Sequence, residues 1–483
     1  MSNLKNKQIA FKIIESLNKN KNSLSVTLTG SYSEHFDPLK AGDIDIVIIC
    51  KQLSKKYLNE CIVKLKKLKK KYFSDNYDLI INNTFGPIKF YNKNSIVFHL
   101  MIYDLRSHIH HTINSPFTCY DWERSKVYVG KSLRELSPVF NLQFRDFSEA
   151  RRSTQEYLKD LTKNRISYRE YNFKNRKAEL VKKYFKIDKL NRRDFIYHII
   201  KFLLINFIKY ENQKNTKINQ KKIKNKFLEI VKSKSDLFEF NKLILLKTKK
   251  ESLSIKEPKK LAIRFINKFD QYIKKKEKNN KIYFSRHKRT KLNKNIFLGQ
   301  KLNPNIVDRK NKNEFIKIRF NQCFASPLTR CIETAKIICK NKKIITNNNL
   351  REINYGDAEG LNLKELSTKY PHIIKAWNKG LDLKFPKGES LTNVSNRLNK
   401  FINNQLIKKN VINFNSLIFT HNVIIRCLIG NIYKIKKKDW FKININYFDL
   451  FEFRIENNKL VSNIERVKYL SIFKNFYKNY NNV

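Results

Sequence analysis

Long apolar runs are missing from this chain. Its most apolar stretch, 195–208, is interrupted by His198, Lys201 and Asn206 and is too short to cross a bilayer. The opening MSNLKNKQIAFKIIESLNKN is polar and amphipathic, so no signal peptide is read there. Cysteines are few and odd in number, the seven being Cys50, Cys61, Cys119, Cys323, Cys331, Cys339 and Cys427, with no C-x-x-C spacing and no histidine-rich partner segment. That argues against a disulfide framework and for a reduced compartment. These absences together predict a cytoplasmic protein with no membrane partner. Acidic side chains are also scarce, 42 against 101 Lys and Arg, for a formal charge of +59. Glycine and proline number only 10 and 9, while Lys, Asn, Ile, Phe and Tyr are inflated. This joint bias reads as the imprint of an A+T-rich coding genome, so the charge alone does not establish a polyanion partner, although phosphorylated substrates would be drawn to it.

What is present is enough to build cores throughout. With 13% aromatic and 41% hydrophobic residues, disorder is not the expected state, and 483 residues predict two to four domains. Apolar side chains at Leu4, Ile9, Phe11, Ile13, Ile14 and Leu17 mark a helix, after which the period changes. Residues 23–29 alternate as a half-buried strand and run into Gly30-Ser31; a second strand follows over 43–49 and opens on Asp43-Ile44-Asp45. Residues i and i+2 of a strand share a face, so Asp43 and Asp45 project together and could hold a divalent metal through oxygen. Gly30 would let backbone approach a phosphate, and Ser31 would offer a hydroxyl and an amide at a helix N-terminus. The cluster His108, His110, His111 lacks carboxylate or cysteine partners and reads as solvated.

The stretch GSYSEHFDPLKAGDIDIVI resembles the Gly-Ser, Asp-x-Asp signature of the polymerase-β-like nucleotidyltransferase superfamily, over about residues 10–105. The resemblance implies an α+β fold, a nucleoside triphosphate substrate and two magnesium ions held by three carboxylates, Asp43 and Asp45 being two of them. For the third, the strand 95–104 offers Asp104, with Asp78 as a rival; His99 occupies a central position of that strand.

From Phe144 to about Asn280 the texture is helical, basic and free of glycine, and 274–280 reads as a linker. By analogy this region would bind the acceptor substrate, and a basic helical region could instead clamp RNA.

Chemistry resumes at Ser285-Arg286-His287-Lys288-Arg289-Thr290, which follows the apolar run 282–284 where a buried strand would end. Cys323-Phe324-Ala325-Ser326-Pro327 then leads into a helix carrying Arg330; Leu350-Arg351-Glu352 precedes a glycine loop; and 416–420 is a buried strand ending in His421-Asn422. Helices such as 391–406 alternate with these strands, the pattern of an α/β sheet. Every polar candidate falls at a strand exit, and Arg, His, Arg and His converging there suit a phosphoryl group.

These elements resemble the histidine phosphatase superfamily, with its phosphoglycerate-mutase-like α/β sandwich, over about residues 280–470. The resemblance implies that His287 attacks phosphorus to form a phosphohistidine, that Arg286, Arg330 and His421 cradle the phosphoryl oxygens, and that Glu352 is the general acid, with no cofactor. It also marks the loop 385–390 as near the substrate. The family usually has glycine after Arg-His, where this chain has Lys288 and then Arg289; Asn422 likewise replaces a frequent glycine. Those side chains could narrow the pocket, add positive charge, or mark lost activity.

The expectation is therefore an α/β multidomain enzyme. It comprises a nucleotidyltransferase-like domain over 1–130, a helical acceptor-binding or linker region over 131–279, and a histidine phosphatase domain over 280–475. Hydrolysis of a phosphorylated small molecule is expected over mutase action. Two other readings stand beside it: an RNA-directed nucleotidyltransferase with an end-processing phosphatase, and a chain in which one domain is a non-catalytic binding module.

Overall fold

A computed structural model of the chain describes residues 2–73, 76–88, 95–174, 177–213, 216–249, 258–276, 280–292, 295–310, 313–340, 342–408 and 414–477. The chain divides into two compact units, residues 1–142 with 146–275 and 477–483 in the first, and 143–145 with 276–476 in the second. No helix among the described residues is long and apolar enough to cross a membrane.

The first unit is built on α1 (Ser2–Asn18), β1 (Ser23–Thr29), β2 (Ile44–Cys50), α2 (Lys55–Tyr72), β3 (Asp78–Asn82), β4 (Ser95–Asp104), α3 (Leu105–Asn114) and β5 (Tyr128–Gly130). Its strands form one mixed sheet in the order β3-β4-β2-β1-β5, with β3, β4 and β2 parallel and β1 antiparallel to β2 and β5. Ile13, Ile14 and Leu17 of α1 and Leu65 of α2 pack on Val26, Leu28, Ile46 and Ile48, all fully buried. Strand β1 is buried on both faces rather than one: Ser25 and Thr27 are also covered, and their hydroxyls pair at 3.1 Å, which offsets the cost of removing them from water.

Most of α4 (Phe144–Thr162), together with α5 (Lys189–Asn212), α6 (Gln220–Val231), α7 (Lys234–Lys249) and α8 (Pro258–Lys276), clusters with the same unit. The helical reading of this region holds except at one place. Strands β6 (Arg165–Lys174) and β7 (Lys177–Lys186) form an antiparallel hairpin, pairing Ile166 with Phe185 and Phe173 with Ala178. The run Ile166-Ser167-Tyr168-Arg169-Glu170-Tyr171-Asn172-Phe173 is rich in aromatic side chains, which favour a pleated strand, and Tyr171 and Phe173 pack against the sheet core. Of the linker read at 274–280, residues 277–279 lie outside the described residues.

The second unit contains β8 (Lys281–Arg286), β9 (Gln322–Ala325), α9 (Thr329–Cys339), β10 (Ile344–Thr346), α10 (Leu391–Phe401), β11 (Ser416–Thr420), α11 (Asn422–Ile432), β12 (Leu450–Glu456) and β13 (Lys459–Ser462). Strand order is β10-β9-β11-β8-β12-β13, the first four parallel and the last two antiparallel additions. Strand β11 is buried at all five positions, as a central parallel strand covered on both faces must be. Helix α10 starts in a capping box between Ser390 and Asn393 and buries Val394, Leu398 and Phe401 at helical spacing.

Candidate active site

In the second unit, Thr420 of β11 stands beside Arg286 of β8, so the next residues, His421 and His287, leave adjacent parallel strands at the same edge. Their ring centroids are 5.2 Å apart, and the His287 amide donates to the Thr420 carbonyl at 2.9 Å. Strand β9 on the other side of β11 ends at Ala325, which places Ser326 and the start of α9, with Arg330, at that edge too. This is the carboxyl end of a parallel sheet, where α/β folds gather ligands.

His287 is buried, and its Nδ1 lies 2.6 Å from the Lys288 carbonyl oxygen. A carbonyl only accepts, so Nδ1 carries the proton and Nε2 keeps a lone pair. Burial, reinforced by the Arg330 and Arg286 guanidinium groups, holds its pKa well below 6.5. The ring is therefore neutral at neutral pH. His421 is equally buried; burial, then Arg330 and His287, push its pKa well down. Its Nδ1 accepts from Arg330 Nε at 3.3 Å, so Nε2 carries the proton and donates to Ser326 Oγ at 2.8 Å.

Glu352 shifts the other way. Burial raises its carboxyl pKa above 4.5, opposed by the Ile353 amide at 3.0 Å, by Arg330 and Arg286, and by the Val423 amide at 3.2 Å. An imidazole with a lowered pKa and a carboxyl with a raised one thus share the field of the same two guanidinium groups, Arg330 and Arg286.

Arg330 is fully buried and donates to Leu302 O at 3.1 Å and Gly299 O at 2.7 Å as well as to His421. The loop carrying those carbonyls is itself fixed by Glu359, whose carboxylate accepts four consecutive amides, from Gly299, Gln300, Lys301 and Leu302. Arg286 donates to Ile445 O at 2.8 Å and lies 3.5 Å over the Tyr447 ring, yet its buried Nε has no hydrogen-bond partner among the described residues. The Asn422 side-chain oxygen is in the same state. Buried polar atoms are nearly always hydrogen-bonded, so an unfilled donor and an unfilled acceptor at this sheet edge set it apart from the packed core.

The loop 385–390 supports Glu352 from behind. Glu389 forms a two-point ion pair with Arg397 at 2.9 and 3.0 Å, and Arg397 donates to the carbonyls of Asn349, Arg351 and Glu352. Lys288 does not enter the site: its Nζ bonds Asp308 and the Lys310 carbonyl over the Phe448 ring. Arg289 is exposed. One cation was missed from the sequence, Arg426, a half-buried guanidinium on α11 that donates to Ile443 O at 2.9 Å and acts electrostatically on Glu352 and Arg286. Its position four residues after Asn422, on the inner side of the helix that follows His421, was the available signal.

Residues 282–464 match the histidine phosphatase superfamily, branch 1. The 2,3-bisphosphoglycerate-dependent phosphoglycerate mutase of Cytophaga hutchinsonii is 34% identical over 125 residues, 25% of this chain and 59% of that protein. That of Parvibaculum lavamentivorans is 25% identical over 181 residues, 34% of this chain and 86% of its own length. The chain spans 59% and 62% of the Cytophaga hutchinsonii and Gloeobacter violaceus mutases. Among solved structures, phosphoserine phosphatase from Entamoeba histolytica in complex with 3-phosphoglyceric acid is 20% identical, with 39% of this chain and 99% of that one covered at a TM-score of 0.34. The second unit thus carries a histidine phosphatase-like domain.

In the first unit, Asp43, Asp45 and His99 place ligand atoms within 4.8 Å of one another. Asp45 stands opposite His99 across β2 and β4, and His99 Nδ1 lies 2.7 Å from Asp45 Oδ1 while Nε2 lies 2.9 Å from the Thr84 carbonyl oxygen. The Gly30 turn, at φ +69°, touches the same carboxylate: a Cβ there would fall 2.3 Å from Asp45 Oδ2. Ser31 Oγ donates to Ala41 O at 3.2 Å, but the helix it precedes, Tyr32–His35, is a single turn, so the amide dipoles expected there amount to little.

The third carboxylate is not where the sequence put it. Asp104 pairs with Cys50, five residues beyond the Asp45–His99 level, on the order of 16 Å along the strand, and caps α3 through the Ser107 amide. Asp78, exposed at the start of β3, pairs with Ser95, four residues in the other direction. Two carboxylates and an imidazole do not fit a pair of magnesium ions on three carboxylates. The histidine cluster also differs from its solvated reading. Helix α3 turns His108 into the core along the Leu105-His108-Ile109-Thr112 face, and His111 stacks on Tyr103 at 5.1 Å.

Proposed function

We propose that the histidine phosphatase-like domain hydrolyses a phosphomonoester of a small metabolite through a phosphohistidine. His287 Nε2 attacks phosphorus, the P–O bond to the leaving group breaks, and Glu352 delivers its proton to the departing oxygen. Water then attacks the phosphohistidine, Glu352 takes a proton from it, and inorganic phosphate leaves with His287 restored. Arg286, Arg330 and His421 stabilise charge on the phosphoryl oxygens, and Arg426 adds to the field. The observation that carries this reading is the geometry of the two reacting groups: a buried imidazole whose Nδ1 is committed to the Lys288 carbonyl, leaving Nε2 for the attack, and a buried carboxyl whose pKa burial raises. Phosphoglycerate and phosphoserine, named for the mutases and the phosphatase above, belong to the substrate class this site suits. The test is phosphate release from a panel of phosphorylated metabolites by the wild type and by His287→Ala. Release abolished by the substitution supports hydrolysis; recovery of an isomerised phosphoester in place of free phosphate would refute it in favour of a mutase.

A second reading concerns the first unit. We propose that Asp43, Asp45 and His99, beside Gly30-Ser31, hold one divalent cation and with it the phosphates of a nucleotide. The Thr84 carbonyl accepts the Nε2–H of His99, so Nδ1 faces the Asp45 carboxylate either protonated or with its lone pair turned, like the carboxylate oxygens, towards a shared cation. An imidazole in the set favours zinc over the magnesium expected from the sequence. Nucleotide transfer would need a third carboxylate that the described residues do not bring there. Calorimetry with ATP and each metal, on the wild type and on Asp45→Asn, tests this: binding unchanged by the substitution would end it.

A further inference from the structure

Lys288 follows the attacking histidine directly, at a position where a long cation is costly to bury. Its side chain is 4% exposed. Nζ lies 2.9 Å from Asp308 Oδ2, donates to the Lys310 carbonyl, and sits 4.3 Å over the Phe448 ring, which stacks on Phe315 at 4.3 Å. The Lys288 peptide is held as firmly as the side chain. Its N–H donates to Thr334 Oγ1 at 3.1 Å, and that hydroxyl donates to the Arg330 carbonyl at 2.6 Å. The Lys288 carbonyl accepts the Nδ1 proton of His287. Segment 306–310, which receives Nζ, is tied down independently: the Ile306 amide donates to Glu333 at 2.8 Å and the Val307 amide to Arg289 O at 3.0 Å.

We propose that Lys288 is a positioning residue for His287: its ammonium, anchored on Asp308 and the Lys310 carbonyl, fixes the peptide whose carbonyl keeps the imidazole proton on Nδ1 and leaves Nε2 as the attacking atom. This rests on the phosphatase reading of the same site. A neutral imidazole has one proton and two places for it. If the Lys288 carbonyl swings away, the Nε2–H tautomer becomes populated, and that form cannot attack phosphorus. A residue without a side chain could not supply the anchor. The departure at 288 therefore substitutes an ionic tether for close backbone packing, and it neither narrows the pocket nor adds charge to it.

The experiment compares Lys288→Met, Lys288→Arg and Asp308→Asn with the wild type, using p-nitrophenyl phosphate turnover and the 15N resonances of the His287 ring. Lys288→Met keeps the stem over Phe448 and loses both anchors. It should lower kcat by about tenfold at unchanged KM and move the ring from Nδ1–H towards a mixture of tautomers. Lys288→Arg should restore both. Asp308→Asn, at an exposed carboxylate, should act in the same direction and covers the case in which Lys288→Met fails to fold. Wild-type turnover in Lys288→Met, or lost turnover with the ring still held as Nδ1–H, overturns the proposal. If the wild type releases no phosphate at all, the phosphatase reading fails, and the ring resonances alone decide the assignment of Lys288.

Discussion

Gly356 offers the sharpest test of how the loop 385–390 serves the site. It has φ +57°, and a Cβ placed on it would lie 1.9 Å from the Pro386 carbonyl oxygen and 2.7 Å from the Gly388 nitrogen. Gly356→Ala therefore needs the facing loop to retreat by roughly 1 Å, because a carbon and an oxygen do not approach closer than about 3 Å. The left-handed conformation costs alanine about 1 kcal/mol. The retreat strains the hydrogen bonds that join the two loops, Asp357 N to Pro386 O at 3.0 Å and Glu389 N to Asn354 O at 2.8 Å, at about 1 kcal/mol each if lost. The expected destabilisation of the second unit is then about 3 kcal/mol. Activity should fall further than stability predicts. Glu389 moves with its loop, Arg397 follows Glu389, and Arg397 holds the Glu352 carbonyl at 2.9 Å. A displacement near 1 Å of a proton donor can cost about a hundredfold in turnover. Urea melts followed on the second unit and phosphate release at a temperature where the variant is folded measure the two effects. Gly356→Ala with wild-type turnover would refute the chain from Gly356 through Glu389 and Arg397 to Glu352.

Glu352→Gln keeps an acceptor for the Ile353 and Val423 amides but has no acidic proton, so turnover of an alkyl phosphate should drop about 10²–10⁴-fold. p-Nitrophenyl phosphate, whose leaving group needs no proton, should suffer much less, and equal losses on both substrates would remove Glu352 from the acid role. The pH dependence follows from the two shifts. Turnover on alkyl phosphates should decline as pH rises through the Glu352 carboxyl pKa, above 4.5, and should show no loss from His287 protonation near pH 6.5, because its pKa lies well below that. A turnover loss centred at pH 6.5 that tracks His287 would contradict the burial argument. In the first unit, burial sets His108 at about 4 and His111 at about 3, both below the ordinary 6.5. Groups depressed in this way contribute stability that is complete above 6.5 and lost as pH falls towards those values. For His108 alone this amounts to roughly 3 kcal/mol. Denaturation midpoints of the first unit that are equal at pH 7 and pH 4.5 would show the reasoning to be mistaken.

Periodicity and strand exits made much of this molecule legible before any coordinates. Arg286-His287 and His421 are legible at strand exits because each follows a three-residue apolar run, 282–284 in β8 and 417–419 in β11, and the register supplies the adjacency that spacing alone could not. Arg330 and Glu352 were assigned roles through resemblance; what the sequence could not convey is that Glu359 and Arg397, distant in the chain, hold the segments that carry them. The β6–β7 hairpin was lost in a lysine-rich region whose bias masks a period of two. Asp104 was preferred for its charge, although its parity and its distance from the Asp45 level opposed it, and those geometric objections prove decisive. His108 and His111 were read by their polarity, whereas the helical spacing with Leu105, Ile109 and Thr112 already turned them inwards. At Asp104, His108 and His111, the chemistry of a residue outweighed its period.

The site's electrostatics lead to one more consequence. Arg330 is buried and Arg286 and Arg426 are half-buried around one site, burial is the leading cause that lowers each of their pKa values, and burial also raises the carboxyl pKa of the neighbouring Glu352. Backbone carbonyls at Gly299, Leu302, Ile443 and Ile445 offset part of the desolvation of these guanidinium groups, but a dipole balances a full charge only in part. A bound phosphoryl group would supply the missing negative charge, so inorganic phosphate should stabilise the second unit by mass action, by about 2.7 kcal/mol at a hundred times its dissociation constant. The two units have separate cores, and the first places two carboxylates at its own candidate site, so phosphate should leave the first unit's unfolding unmoved. Proteolysis resolved by fragment, with and without phosphate, distinguishes them. Protection confined to residues 280–476 and abolished in Arg286→Met is the expected result. Equal protection of both units, or protection that survives the substitution, would mean that phosphate acts through the +59 surface charge and that the buried arginines do not form an anion site.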